Sequence, residues 1–124
     1  MNHLFLFYTA SVFLIIWGIA HLFPTLSVVH GFGDISQDNK RIITMEWIIE
    51  GVTLIFTGLL IGVLTILNPD NKTSSLLFIL IVVFLILLAI ISFLTGFRVK
   101  FLPYKLCPFV LMAAAIMIMI GEFL

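Results

Sequence analysis

The chain is poor in charged residues. Lys, Arg, Asp and Glu make up 10% of its 124 residues, whereas about 25% is usual in soluble domains. Hydrophobic residues make up 63%, and the mean hydropathy is +1.33. This composition predicts an integral membrane protein with no separate soluble domain.

Cysteine and basic runs are also scarce. The single cysteine, Cys107, has no partner for an internal disulfide, and no Cys/His spacing resembles a zinc site. The net charge is zero and no long basic stretch occurs, which argues against a nucleic-acid partner. The sequence therefore predicts no metal site, identifies no cofactor and gives Cys107 no role.

Apolar runs account for most of the chain. Each is close to the ~20 residues that a helix needs to cross a bilayer, and they cover about residues 4–26, 43–67, 75–97 and 107–123. Helices satisfy their own backbone hydrogen bonds in lipid. We predict one all-α domain over residues 1–124, a polytopic four-transmembrane-helix bundle whose first span is retained because it is too long for a signal peptide.

The connecting segments carry the signals for helix ends. Residues 27–40 read as a polar loop that ends in good N-cap residues, Ser36, Asp38 and Asn39. Ser74 or Ser75 is the predicted cap of the third span. Pro103 and Pro108 are predicted to limit helix between the last two spans.

Basic residues are distributed unevenly between the loops. Lys72 alone belongs to the second loop, whereas the first and third loops carry Lys40, Arg41, Arg98, Lys100 and Lys105. The positive-inside rule places the richer loops in the cytoplasm. We predict that both termini are extracytoplasmic and that the membrane is a bacterial inner (plasma) membrane.

The second span has two distinctive faces. At about 100° per residue, Glu46, Glu50, Thr53 and Thr57 fall on one narrow polar stripe. A second stripe carries Gly51, Gly58 and Gly62, small residues that let a neighbouring backbone approach closely. Two such faces predict that this helix is central in the bundle.

The first span supplies a partner for the acids. In "WGIAHLFPT", His21 lies at the depth of Glu46 and Glu50, and Pro24 should break the helix and free carbonyls that attract donors. We predict that His21, Glu46 and Glu50 are the catalytic groups. The predicted ligand-binding residues are Trp17, Trp47, Thr53, Thr57 and Ser92.

Two functions of different kinds lead, and a transporter or channel, which would need to oligomerise, is a third. The first is a cytoplasm-facing His/Glu/Glu pocket that binds a hydrophobic or amphipathic small molecule, quinone- or lipid-like, with proton transfer. The second is a non-catalytic accessory or assembly subunit that docks a partner membrane subunit, or a second copy of the chain, through the Gly58/Gly62 face. Membrane lipid is a partner in both, and the sequence leaves open whether the protein is an enzyme.

The four-span plan and the stretch "WGIAHL", with Gly18 and His21 three residues apart, resemble the small bacterial DoxX-like membrane proteins. The resemblance implies a four-helix membrane fold and an accessory role near membrane oxidoreductases and quinones. No CxxC motif or haem-ligand pair accompanies it in this chain.

Overall fold

A computed structural model describes residues 3–124 and contains five helices. They are α1 (His3–Leu22), α2 (Thr25–Gly31), α3 (Gln37–Leu67), α4 (Lys72–Gly96) and α5 (Leu102–Phe123). The described residues include no strand. Four of the helices, all but α2, are long and apolar enough to cross a membrane. The predicted all-α four-helix bundle is confirmed, and these helices support an integral membrane protein.

The long helices alternate in direction, so the bundle has two different ends. We call the end formed by residues 22–41 and 96–105 the basic end, because it carries all the Lys and Arg residues except Lys72. The opposite end, the terminal end, holds the beginning of α1, the α3–α4 turn and the end of α5. There, Ser75 donates a hydrogen bond to Glu122 at 2.7 Å, and His3 lies 3.4 Å from Asp70.

Polar side chains cap the starts of α3 and α4. The Ser36 hydroxyl accepts from the Asn39 N–H at 3.2 Å, which confirms the predicted early start of this helix. At α4 the prediction of a serine cap is wrong. The helix already begins at Lys72, and its N-cap residue is Asn71. The Asn71 side chain accepts a hydrogen bond from the Thr73 N–H at 2.9 Å.

The chain breaks at Pro24 and then turns into a short helix. The prediction of a continuous loop over residues 27–40 is partly wrong, because α2 covers Thr25–Gly31. The freed carbonyls of α1 attract donors as predicted: the Thr25 hydroxyl donates to the Leu22 carbonyl at 2.6 Å, and the Trp47 indole donates to the His21 carbonyl at 2.7 Å. The Thr25 hydrogen bond connects the start of α2 to the last turn of α1, and the Trp47 hydrogen bond connects α3 to α1.

Helix α5 starts earlier than predicted. It begins at Leu102, with Pro103 in its first turn, where a missing N–H costs nothing. Pro108 lies inside the helix, so the prediction that it limits the helix is wrong. Pro108 is buried, and packing in the bundle outweighs the lost backbone hydrogen bond. As a consequence, Tyr104 and Cys107 stand one turn apart on one helix.

Close glycine packing joins α1 to α3. A Cβ atom on Gly58 would lie 2.7 Å from the Ser11 carbonyl oxygen, and one on Gly51 would lie 3.2 Å from the Gly18 carbonyl oxygen. The predicted close approach at the glycine stripe is confirmed. Its predicted use for docking a separate subunit is wrong, because α1 of the same chain occupies the Gly58/Gly62 face.

The order of helices around the bundle is α3, α1, α5, α4. Helix α1 packs extensively on α3 and α5, and α4 packs on α5, whereas α3 and α4 touch sparsely. The prediction that the second span is central is therefore wrong. Its glycine face has one helix partner, and its polar face borders the gap towards α4.

Candidate functional site

The gap between α3 and α4 forms a cleft of about 1010 Å³ near the basic end. Helix α5 contributes Tyr104 and Leu111 to its floor, and α2 with the residue after it contributes Val28 and Phe32 to its mouth. The two walls consist of side chains from α3 and α4. They include Ile42, Glu46, Trp47, Glu50, Thr53 and Leu54 on α3, and Phe84, Leu88, Ile91, Ser92 and Thr95 on α4.

Most of the polar lining residues lie towards the basic end, where they alternate with apolar ones. Ser27, Glu46 and Thr95 lie near the basic end, whereas Leu54 and Phe84 line the deepest part. Thr95 and Phe84 are about 16 Å apart along the axis of α4, at about 1.5 Å per residue. The cleft therefore has mixed polar and apolar side chains at its mouth and an apolar interior along one axis.

His21 lies behind the α3 wall and forms a compact group with Trp47 and Glu50 of that wall. The His21 and Trp47 rings stack with centroids 4.0 Å apart and an interplanar angle of 18°. His21 Nε2 lies 3.5 Å from Glu50 Oε2 but forms no hydrogen bond among the described residues. The exposed fraction is 8% for the His21 side chain and 47% for that of Glu50. Glu50 therefore faces the cleft, and His21 supports it from behind.

Helix α5 also contacts the group of His21, Trp47 and Glu50. The Cys107 thiol donates a long hydrogen bond to Glu50 Oε1 at 4.0 Å. The Tyr104 ring meets the Trp47 ring edge-on, with centroids 5.5 Å apart. The carboxylate thus has a neutral thiol and an imidazole around it, and the described residues bring no Lys or Arg side chain to it as an ion-pair partner.

The structure brings together most of the predicted site residues. Glu46, Trp47, Glu50, Thr53 and Ser92 all line the cleft, and His21 contacts Glu50. The Glu46 side chain is exposed and makes no hydrogen bond or ion pair with residues 3–124. Its carboxylate is thus available to a ligand or to solvent at the mouth.

Two of the predicted ligand-binding residues do not line the cleft. Thr57 is buried, and its hydroxyl donates to the Thr53 carbonyl at 2.8 Å. The α3 wall ends at Leu54, almost one turn before Thr57. Trp17 packs against the buried core and approaches Cys107, away from the cleft surface. Their predicted role in ligand contact stays a prediction, since neither side chain is among the residues that line the cleft.

Sequence reasoning missed the contribution of α5 and α2. Tyr104 precedes the predicted fourth span, which began at Cys107, and the two prolines indicated a break there, so the two residues were not placed on one helix. The α2 residues lie in the predicted loop. The spacing of three between Tyr104 and Cys107 is the one signal that could have found the α5 pair.

Within residues 3–124, no group of three or more His, Cys, Asp or Glu side chains is placed to hold a metal ion. Comparison of the chain with protein-family models, curated proteins and solved structures finds no match. The resemblance to DoxX-like proteins stays a prediction, and the cleft is the feature that bears on function.

Proposed function

We propose that this membrane protein binds a hydrophobic or amphipathic small molecule, quinone- or lipid-like, in the cleft between α3 and α4. The observation that carries the proposal is the cleft with Glu50 in its wall and His21 directly behind the carboxylate. A volume of about 1010 Å³ is at the upper end of the ~300–1,000 Å³ typical of small-molecule sites. An elongated apolar ligand with a small polar head fits this size.

The polarity of the lining supports an amphipathic ligand. Its head would lie at the level of Glu46, Glu50 and Ser92, and its apolar part would contact Leu88 and Phe84 deeper in the bundle. Because α3 and α4 are in sparse contact, a ligand can enter sideways from the lipid without separating packed helices. In this proposal Glu50 is an intramembrane carboxylate, and such residues commonly mark functional sites.

Proton transfer is the chemistry that these side chains offer. A carboxylate and an imidazole 3.5 Å apart can share a proton and pass it to a ligand group held at the carboxylate. His21 would then act from behind Glu50, since it does not reach the cleft surface itself. Glu46 would stay at the mouth and contribute charge.

The five-to-one distribution of basic residues supports a cytoplasmic mouth. Lys40, Arg41, Arg98, Lys100 and Lys105 all lie at the basic end, where the cleft opens. By the positive-inside rule this end faces the cytoplasm and the termini lie on the other side. A bacterial inner membrane is the setting that we propose.

A cleft-filling substitution tests the proposal. Thr95 is exposed and lines the cleft, so Thr95→Phe should occupy the mouth without disturbing the core. Leu94→Phe is the matched control, because Leu94 is 72% exposed and points away from the cleft. Mass spectrometry of protein purified in mild detergent should find a hydrophobic molecule on the unmodified protein and on Leu94→Phe. Thr95→Phe should retain about a tenth or less, a change of roughly 1.4 kcal/mol in binding free energy.

The proposal fails if the small molecules do not depend on the cleft. If all three proteins carry the same small molecules in the same amounts, whatever binds them does not depend on the cleft. If none carries any, titration with a short-chain quinone and with a lysolipid repeats the comparison. Binding that Thr95→Phe leaves unchanged would then refute a ligand site between α3 and α4.

A further inference from the structure

The charges that line the cleft have one sign. Glu46 and Glu50 are its charged lining residues, and no Lys, Arg or His side chain is among the lining residues that the structure describes. The basic residues of this end lie elsewhere. Lys40 and Arg41 border a separate shallow depression between α2 and α3, where they lie beside His30.

Within residues 3–124, neither carboxylate of the cleft has a Lys or Arg partner. Arg41 pairs with Asp38 at 3.6 Å on the surface, not with a glutamate of the cleft. Glu46 has no partner within residues 3–124. Glu50 has the Cys107 thiol at 4.0 Å and His21 Nε2 at 3.5 Å, and the imidazole nitrogen is buried without a hydrogen bond. A carboxylate has about four acceptor sites, so most of those on Glu50 remain open towards the cleft.

Aromatic side chains line the same cleft. Trp47 lies one turn from Glu50 on the α3 wall, and Tyr104, Phe101 and Phe32 line the cleft near its mouth. The faces of such rings attract cations in an environment with little water. Carboxylates and aromatic rings that line one apolar cleft form the combination that recognises an organic ammonium group.

From these observations we propose that the ligand is a lipophilic cation, an amine or quaternary ammonium compound with an apolar tail. Its positive group would lie between Glu50 and Glu46, and its tail would extend past Leu88 towards Phe84. An anionic amphiphile is disfavoured, because it would meet two acids and no basic residue in the cleft. This inference rests on the proposed function and narrows the class of ligand.

The test compares three probes that share a ten-carbon chain and differ in the charge of the head. They are tritiated decyltrimethylammonium, decanol and decanesulfonate, added to the full chain in phosphatidylcholine nanodiscs, with empty nanodiscs subtracted as background. We expect saturable binding of the cation at least about tenfold tighter than that of the alcohol, and weaker binding still of the sulfonate. This comparison requires no variant of the protein.

Substitutions then locate the charge that is responsible. Glu50→Gln preserves the shape of the side chain and should remove most of the preference for the cation over the alcohol. Asp38→Asn is the control, since it removes a carboxylate from the same helix and the same end but outside the cleft. It should leave the preference unchanged, which excludes a general effect of surface charge.

The results separate the two proposals. If cation and alcohol bind equally and Thr95→Phe weakens both, the cleft is a binding site but the inference about charge is overturned. The same conclusion follows if the sulfonate binds best, or if Asp38→Asn reduces the preference as much as Glu50→Gln. If no probe binds in a manner sensitive to Thr95→Phe, both the inference and the proposed function fail.

Discussion

The contact between α1 and α3 allows a sharp prediction about Gly58. Its carbonyl accepts a hydrogen bond from the buried Ser11 hydroxyl at 2.7 Å. A Cβ atom added by Gly58→Ala would lie 2.7 Å from both the Ser11 carbonyl oxygen and Ile15 Cγ1. Ordinary contact begins at 3.4 Å, so the helices would have to separate by about 0.7 Å at this point. Both obstacles are on α1, and one of them is backbone that cannot rotate away.

The expected cost follows from three contributions. Overpacking of a tight contact costs about 1–3 kcal/mol. Loss of the interhelical hydrogen bond adds about 0.6 kcal/mol, the average measured in membrane bundles. Alanine is a better helix former than glycine by about 0.8–1.0 kcal/mol, which offsets part of the loss. We expect Gly58→Ala to lower the free energy of unfolding by about 1–3 kcal/mol, and Gly58→Ile to lower it further.

The measurement is unfolding by sodium dodecyl sulfate in mixed micelles, followed by far-ultraviolet circular dichroism. Gly31→Ala is the control, because a Cβ atom at Gly31 meets nothing within 4 Å. That substitution should leave stability unchanged or raise it by up to about 1 kcal/mol through helix propensity. Equal unfolding midpoints for Gly58→Ala and Gly31→Ala would refute close packing of α1 on the glycine face.

The remaining predictions concern the α1 break and the topology. Trp47→Phe keeps a ring against His21 but removes the indole donor to the His21 carbonyl, so the free energy of unfolding should fall by about 1–3 kcal/mol. If Trp47→Phe and the unmodified protein have the same unfolding midpoint in that titration, the indole hydrogen bond to the His21 carbonyl does not stabilise the fold. A reporter fused after Leu124 should behave as extracytoplasmic, because the basic residues favour a cytoplasmic basic end. Cytoplasmic activity of the reporter in the full-length fusion would reverse the proposed orientation, and the mouth of the cleft with it.

The candidate site could be predicted in part because its main components are local. Glu46 and Glu50 are four residues apart, so helical geometry alone places them on one face. His21 could be matched to them by depth, since α1 ends and α3 begins at the same end of the bundle. The structure places His21 Nε2 3.5 Å from Glu50 Oε2, in agreement with that match. Trp17 and Thr57 were predicted to bind ligand by the same local reasoning. In the packed bundle neither of them lines the cleft.

What the sequence by itself determined is the set of elements: four apolar helices, the break at Pro24, the early start of α3 and the glycine face that admits another backbone. These depend on hydropathy, periodicity and capping, which act within a few turns of one helix. Only the tertiary structure decided which helices are neighbours. It therefore decided that α3 and α4 part to form the cleft, that Tyr104 lines this cleft and that Cys107 reaches Glu50. The reason is that all four spans are similarly apolar, so no hydrophobic force selects neighbours in lipid. Detailed packing between distant segments makes that choice.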